Sequence, residues 1–134
     1  MWDAITSMML VGAGGAAGAV LRYLVSAWSG RLLRHDALGI FVVNLSGCLV
    51  IGVAGGMAVE ADGRLGADGA AWLLLVTGLI GSYTTVSSFS LQTLAMLRTR
   101  RTGLALVNIA GSLLFCLSAT VTGFAIGYGL GAVL

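Results

Sequence analysis

Between Gly78 and Thr93 the chain reads GLIGSYTTVSSFSLQT, a glycine, serine and threonine run inside a hydrophobic stretch long enough to cross a bilayer. Those residue types do no acid–base or nucleophilic chemistry by themselves at this spacing. They can, however, interrupt a helix and turn amides, carbonyls and hydroxyls toward a solute. In hydrocarbon each unpaired backbone group costs several kcal/mol, so irregular backbone persists at depth only inside protein or against a polar cavity. An interrupted helix is a recurring way to build an ion or substrate site there. The run therefore predicts a membrane-embedded ion pathway, or else a tightly packed helix whose hydroxyls bond back to their own carbonyls.

The remaining polar residues of the apolar runs are few. Asn44 lies in GIFVVNLSGCLVIG, with Cys48 one helical turn beyond it. Its amide has two donors that need partners in a membrane, and could serve a passing anion or bridge two helices. Asn108, Ser112, Cys116 and Thr120 recur every four residues in a later run and form one polar stripe. Arg22 is the one formal charge well inside a span, where it either snorkels to the interface or meets carbonyls at the mouth of a pathway. Cys48 and Cys116 belong to no CxxC or Cys/His cluster, so the pattern suggests neither a metal site nor a redox pair but two buried small residues. His35, between Arg34 and Asp36, reads as a solvated loop residue. With no Ser-His-Asp set, phosphate loop or paired carboxylates in a cavity-forming segment, the chain is not expected to be an enzyme.

The elements that must carry these residues follow from composition. Of 134 residues, 58% are hydrophobic and 9% charged, which places the chain among membrane proteins. All seven basic residues are arginine and the net charge is only +2, which gives nucleic acid nothing to bind. A bilayer core of roughly 30 Å needs about 20 residues of helix. Four runs qualify, at about 5–29, 37–59, 70–97 and 102–130, giving a single four-helix domain over 1–134. The fold class is thus an all-α membrane protein with its third helix broken at mid-membrane. Proline is absent, so the break falls to glycine and polar residues. No basic segment precedes the first apolar run, which argues against a cleaved signal peptide.

Small residues four apart, such as Gly14 with Gly18 and Gly123 with Gly127, let helix backbones approach closely in lipid. VNLSGCLV in the second run and VNIAGSLL in the fourth hint at a weak internal repeat. The first and third loops carry five arginines, whereas the termini and the second loop carry only Arg64. The positive-inside rule then puts both termini outside.

Four pieces, one per run and in order, carry a resemblance: GGAAGAVLRY, GIFVVNLSG, GLIGSYTTVSSFS and VNIAGS. Together, in a chain of this length, they resemble the Fluc/CrcB fluoride channel family. The resemblance implies a passive, fluoride-selective channel of the bacterial inner membrane that exports the ion down its electrochemical gradient. It implies four-helix subunits paired antiparallel, two narrow pores and a structural sodium ion at the dimer centre. Carried over by position, Asn44, Phe89 and Ser112 would line the fluoride path, with Asn108 beside them. Ser87 and Ser88 match hydroxyl positions between the aromatic sites, and Arg22 matches an arginine near the vestibule. Gly81 and Thr84 would give the backbone carbonyls that hold sodium.

Val86, Gln92 and Ile40 depart from the pattern, where the family usually has phenylalanine, glutamate and threonine. Valine offers no polarised ring edge, so half of the family's aromatic pair is missing here. A subunit pairing with an inverted copy of itself needs balanced arginines, and here they tilt five to one. The partner is then either an antiparallel second copy or an oppositely oriented relative that supplies the missing residues. The rival functions are a small four-helix drug or cation exporter and a non-conducting partner subunit. The exporter needs a titratable group in the membrane, and no Asp or Glu falls inside a run.

Overall fold

A computed structural model describes residues 3–33, 36–59 and 69–132. His35, Arg34 and the Glu60–Asp68 loop with Arg64 lie outside the described residues. Four stretches within it are long and apolar enough to cross a membrane: Ala4–Leu33, Ala37–Met57, Trp72–Arg98 and Thr102–Gly131. The chain is a multi-pass, all-helical membrane protein. Lipid imposes this outcome, because a helix satisfies its backbone within one segment.

Helix α1 (Ala4–Leu33) begins at Asp3, whose Oδ1 accepts the Thr6 N–H at 2.6 Å. That bond from the backbone, with the Thr6 side chain adding to it, holds the Asp3 carboxyl below its usual range. The helix continues to Leu33, so Arg31 falls in its last turn, where a cation suits the helix dipole. Helix α2 (Asp36–Met57) returns antiparallel to it, with Gly39 pressed against the Ser26 carbonyl and Gly30.

The third span has three parts. A π-helical segment, Trp72–Ile80, leads into a short turn α3 (Gly81–Tyr83), and helix α4 (Val86–Arg98) follows. The wide turn is visible in the Gly81 N–H, which reaches back to the Val76 carbonyl as well as that of Gly78. The π segment lies directly on α1: a Cβ at Gly14 or Gly18 would strike the Leu74 or Leu79 carbonyl, and one at Gly78 would approach Val11. Helix α4 closes with Arg100 at φ 56°, its N–H donating to the Leu97 carbonyl and that of Arg101 to Met96. Helix α5 (Thr102–Gly131) then runs back parallel to α2.

Among the described residues the apolar core is thin, with Val43 and Ala105 fully covered and Ile80 nearly so. Large apolar side chains such as Met8, Tyr23, Leu106 and Val121 face outward. Lipid is as apolar as leucine, so burial drives little here and close backbone packing must hold the helices. The α2–α5 seam supplies it. A Cβ at Gly52 would strike the Thr120 carbonyl, one at Gly123 the Leu49 carbonyl, and one at Gly127 the Val53 carbonyl. These contacts are with backbone, which cannot rotate away. Gly123→Val is therefore expected to separate the two helices at a cost of about 1–3 kcal/mol. A lowered melting temperature in detergent, with a broadened elution profile, is the readout; an unchanged profile would show that the seam tolerates bulk.

Candidate functional site

Helical geometry is lost at Thr84 (φ −72°, ψ 154°) and Thr85 (φ −151°, ψ 119°). Two extended residues leave amides and carbonyls without their usual partners, and side chains take those roles. The Asn44 carboxamide pairs with both polar groups of the Thr85 backbone. Its Nδ2 donates to the Thr85 carbonyl at 3.0 Å, and its Oδ1 accepts the Thr85 N–H at 2.8 Å. Asn44 thus acts as a short piece of neighbouring strand, held on α2 some 41 residues away in sequence.

Thr85 also caps the helix that restarts. Its Oγ1 accepts the Ser88 N–H at 3.3 Å and lies 3.0 Å from the Ser87 hydroxyl. The Thr85 side chain is buried, and in the same network Oγ1 donates to the Ser88 hydroxyl. On the other side of the interruption, Thr84 Oγ1 donates to the Ile80 carbonyl, which also accepts the Thr84 N–H. The Ser46 hydroxyl and Tyr83 hydroxyl meet at 2.8 Å, a second tie between α2 and this bend. Gly47 lets them approach, since a Cβ there would collide with the Thr84 methyl and crowd the Tyr83 ring.

One consequence concerns Gly81. In an unbroken helix its carbonyl would accept the Thr85 N–H. That N–H goes to Asn44 instead, so the Gly81 oxygen is released beside the bend.

These groups open onto a groove of about 440 Å³ between α2, the third span and α5. Its wall includes Asn44, Gly81, Thr84, Val86, Phe89 and Ser112, and is otherwise mostly apolar. A smaller hollow of about 200 Å³ adjoins it, with Asn108 and Ser112 in its wall beside Phe41 and Phe115. Those two rings meet edge to face, 5.9 Å between centroids at 88°. Ser112 therefore borders both spaces.

The expected residues do not all converge. Asn44, Phe89, Ser112, Gly81 and Thr84 share the larger groove. Asn108 is committed elsewhere: its Nδ2 donates to Thr93 Oγ1 at 2.9 Å, and Thr93 in turn donates to the Phe89 carbonyl. It thereby fixes α5 against the turn that presents Phe89. Ser87 and Ser88 bond around Thr85 and are not part of the groove wall. Arg22 is half-buried on α1 and is not among the residues that wall either hollow.

Thr85 and Thr93 escape a reading of the sequence, although Thr-Val-Ser-Ser is a legible helix-start pattern. The pairing of Thr85 with Asn44 leaves no local signal at all.

A family model described as CrcB-like protein, Camphor Resistance (CrcB), matches residues 9–124. The chain belongs to the CrcB family. Other comparisons agree over nearly the whole length. A protein named fluoride-specific ion channel FluC 2 from Bradyrhizobium diazoefficiens is 38% identical over 128 residues, covering 95% of this chain and 93% of its own. Fluoride-specific ion channel FluC of Gluconobacter oxydans is 40% identical over 131 residues, with 96% and 90% covered. FluC 2 of Rhodopseudomonas palustris is 40% identical over 126 residues, with 93% and 95% covered. For this CrcB-family chain, Asn44 at the bend and the groove around it are the features that need a function.

Proposed function

We propose that this chain is a subunit of a passive fluoride channel in a bacterial inner membrane, with the ion moving down its own gradient along the groove walled by Asn44, Phe89 and Ser112. The observation that carries the reading is the placement of those three residues in one groove at the extended Thr84–Thr85 bend. The names of the similar channels, which specify fluoride, support the choice of ion.

Fluoride is compact and tightly hydrated, so a selective path must replace water with compact donors. Asn44 spends one N–H on the Thr85 carbonyl and keeps a second for an anion. The Ser112 hydroxyl adds another donor, and the rim of the Phe89 ring carries the positive part of its quadrupole. Each is neutral, so the anion is held weakly enough to leave.

The groove is open on one side, and the reading closes it with an antiparallel subunit to give two pores. Gly81 and Thr84 fit a sodium ion on the axis between such subunits, because the Gly81 carbonyl has lost its helical donor and a small cation needs convergent oxygens. When bound, that ion would neutralise the facing carbonyl dipoles and so fasten the two bends together.

Efflux from proteoliposomes tests the reading. With potassium shunted by an ionophore, fluoride is expected to leave rapidly and chloride to stay; vesicles that retain fluoride like protein-free lipid would refute it. The arginine tilt favours an oppositely oriented relative as the partner. C-terminal reporter fusions are then expected to signal from the outer side alone, whereas substantial signal from both sides would identify the partner as an inverted second copy.

A further inference from the structure

Cys48 and Cys116 are both free and half-buried, and both stand in the groove wall. The fold brings them together through the glycine seam. Helices α2 and α5 run parallel, with Gly52 set against the Thr120 carbonyl. Cys48 lies one turn before Gly52, and Cys116 one turn before Thr120, so the same register sets the cysteines opposite one another. The two thiols thus share one stretch of that wall.

We propose that Cys48 and Cys116 form a two-sulfur site for a soft, linearly coordinating cation, with mercury(II) the best match. Among the described residues no group of three or more His, Cys, Asp or Glu could hold a metal, which excludes a four-ligand zinc site here. Two thiolates without hard ligands select thiophilic ions. Charge decides among them. Mercury(II) displaces both thiol protons and forms two Hg–S bonds, leaving a neutral adduct with no change of oxidation state. Silver(I) or copper(I) in the same position would leave a net negative charge in a largely apolar wall, which is costly in a membrane. The adduct would sit one turn from Asn44 and Ser112 and narrow the groove, so it should also block fluoride; that consequence alone rests on the proposed function.

The test uses the full chain in detergent, titrated with mercuric chloride. At one equivalent, intact mass is expected to show one mercury gained and two protons lost, with both thiols closed to maleimide. Against a competing monothiol the wild type should hold mercury about a hundredfold better than Cys48→Ser or Cys116→Ser, because the second sulfur acts intramolecularly. Two mercury ions per chain, or single variants that hold the ion as firmly as wild type, would overturn the site. Fluoride efflux, measured against each protein's own untreated rate, should slow with mercury in wild type and not in the double serine variant. A one-mercury, two-thiol adduct that leaves efflux untouched would uphold the site and count against the groove as the fluoride path.

Discussion

Asn44→Asp is expected to abolish fluoride efflux while leaving the subunit assembly largely intact. Two effects of the substitution act in the same direction. Asn44 Nδ2 donates to the Thr85 carbonyl at 3.0 Å, and a carboxylate oxygen in its place would face that carbonyl with no proton between them. The neighbouring bond survives, because Oδ1 of either residue can accept the Thr85 N–H. Half of the clamp is thus replaced by repulsion between two acceptors, at a cost of about 1–3 kcal/mol for the orphaned group. The other effect is electrostatic: a fixed negative charge would stand beside the route of an anion, where the surrounding wall is mostly apolar and screens it poorly. A barrier raised by about 3 kcal/mol slows passage about a hundredfold or more. Efflux from proteoliposomes, read beside size-exclusion elution of the same preparation, separates the outcomes. Efflux at the wild-type rate would remove Asn44 from the path; loss of both efflux and assembly would assign it to holding the bend alone.

Val86→Phe is expected to raise fluoride efflux, by about tenfold. Val86 is the first residue of α4 after the Thr85 cap and is 77% exposed, with Phe89 three positions on along the same groove. Residues three apart share a helix face, so a phenylalanine here would present a second ring beside the first. The groove, at about 440 Å³, has room for it without displacing a neighbour. Valine and phenylalanine have similar helix propensities, so the restart of α4 should not suffer. What changes is the wall: a methyl surface with no dipole gives way to a ring edge, which by analogy with edge-on ring pairs is worth about 0.5–1.5 kcal/mol to the anion. At 1.36 kcal/mol per decade the upper figure is about tenfold in rate. The same rate before and after substitution would place position 86 outside the conducting surface.

The family was legible in four short pieces that recur in order, one per run, and the fold class for a simpler reason. Apolar run length is a local property, and a run of that length crosses a bilayer predominantly as helix. The close-packing glycines were legible as well, since the four-residue repeat of Gly14 with Gly18 and Gly123 with Gly127 already states that a face must be bare. The partners of polar side chains were not. Asn44 could equally have bridged helices or faced a solute, and which of these holds depends on where α2 crosses the third span. The same applies to Asn108, which resembles Asn44 in its local sequence yet bonds a threonine on α4 instead of bare backbone.

Cysteine spacing illustrates the limit most sharply. Nothing local connects Cys48 to Cys116, and a reading by spacing leaves them as unrelated small residues. Their juxtaposition comes from the register of two helices pressed together at glycines. By itself, then, the sequence determined how many times this chain can cross a membrane, where its backbones can touch, and which neutral donors it has to offer. Only the tertiary structure decided that Asn44 holds Thr85 at both polar groups, that the Gly81 carbonyl is thereby released, and that two thiols share the groove wall beside them. Hydrogen-bond partners are fixed by rotation and translation between helices, and those are set by the sum of many close contacts, which no single stretch of residues records.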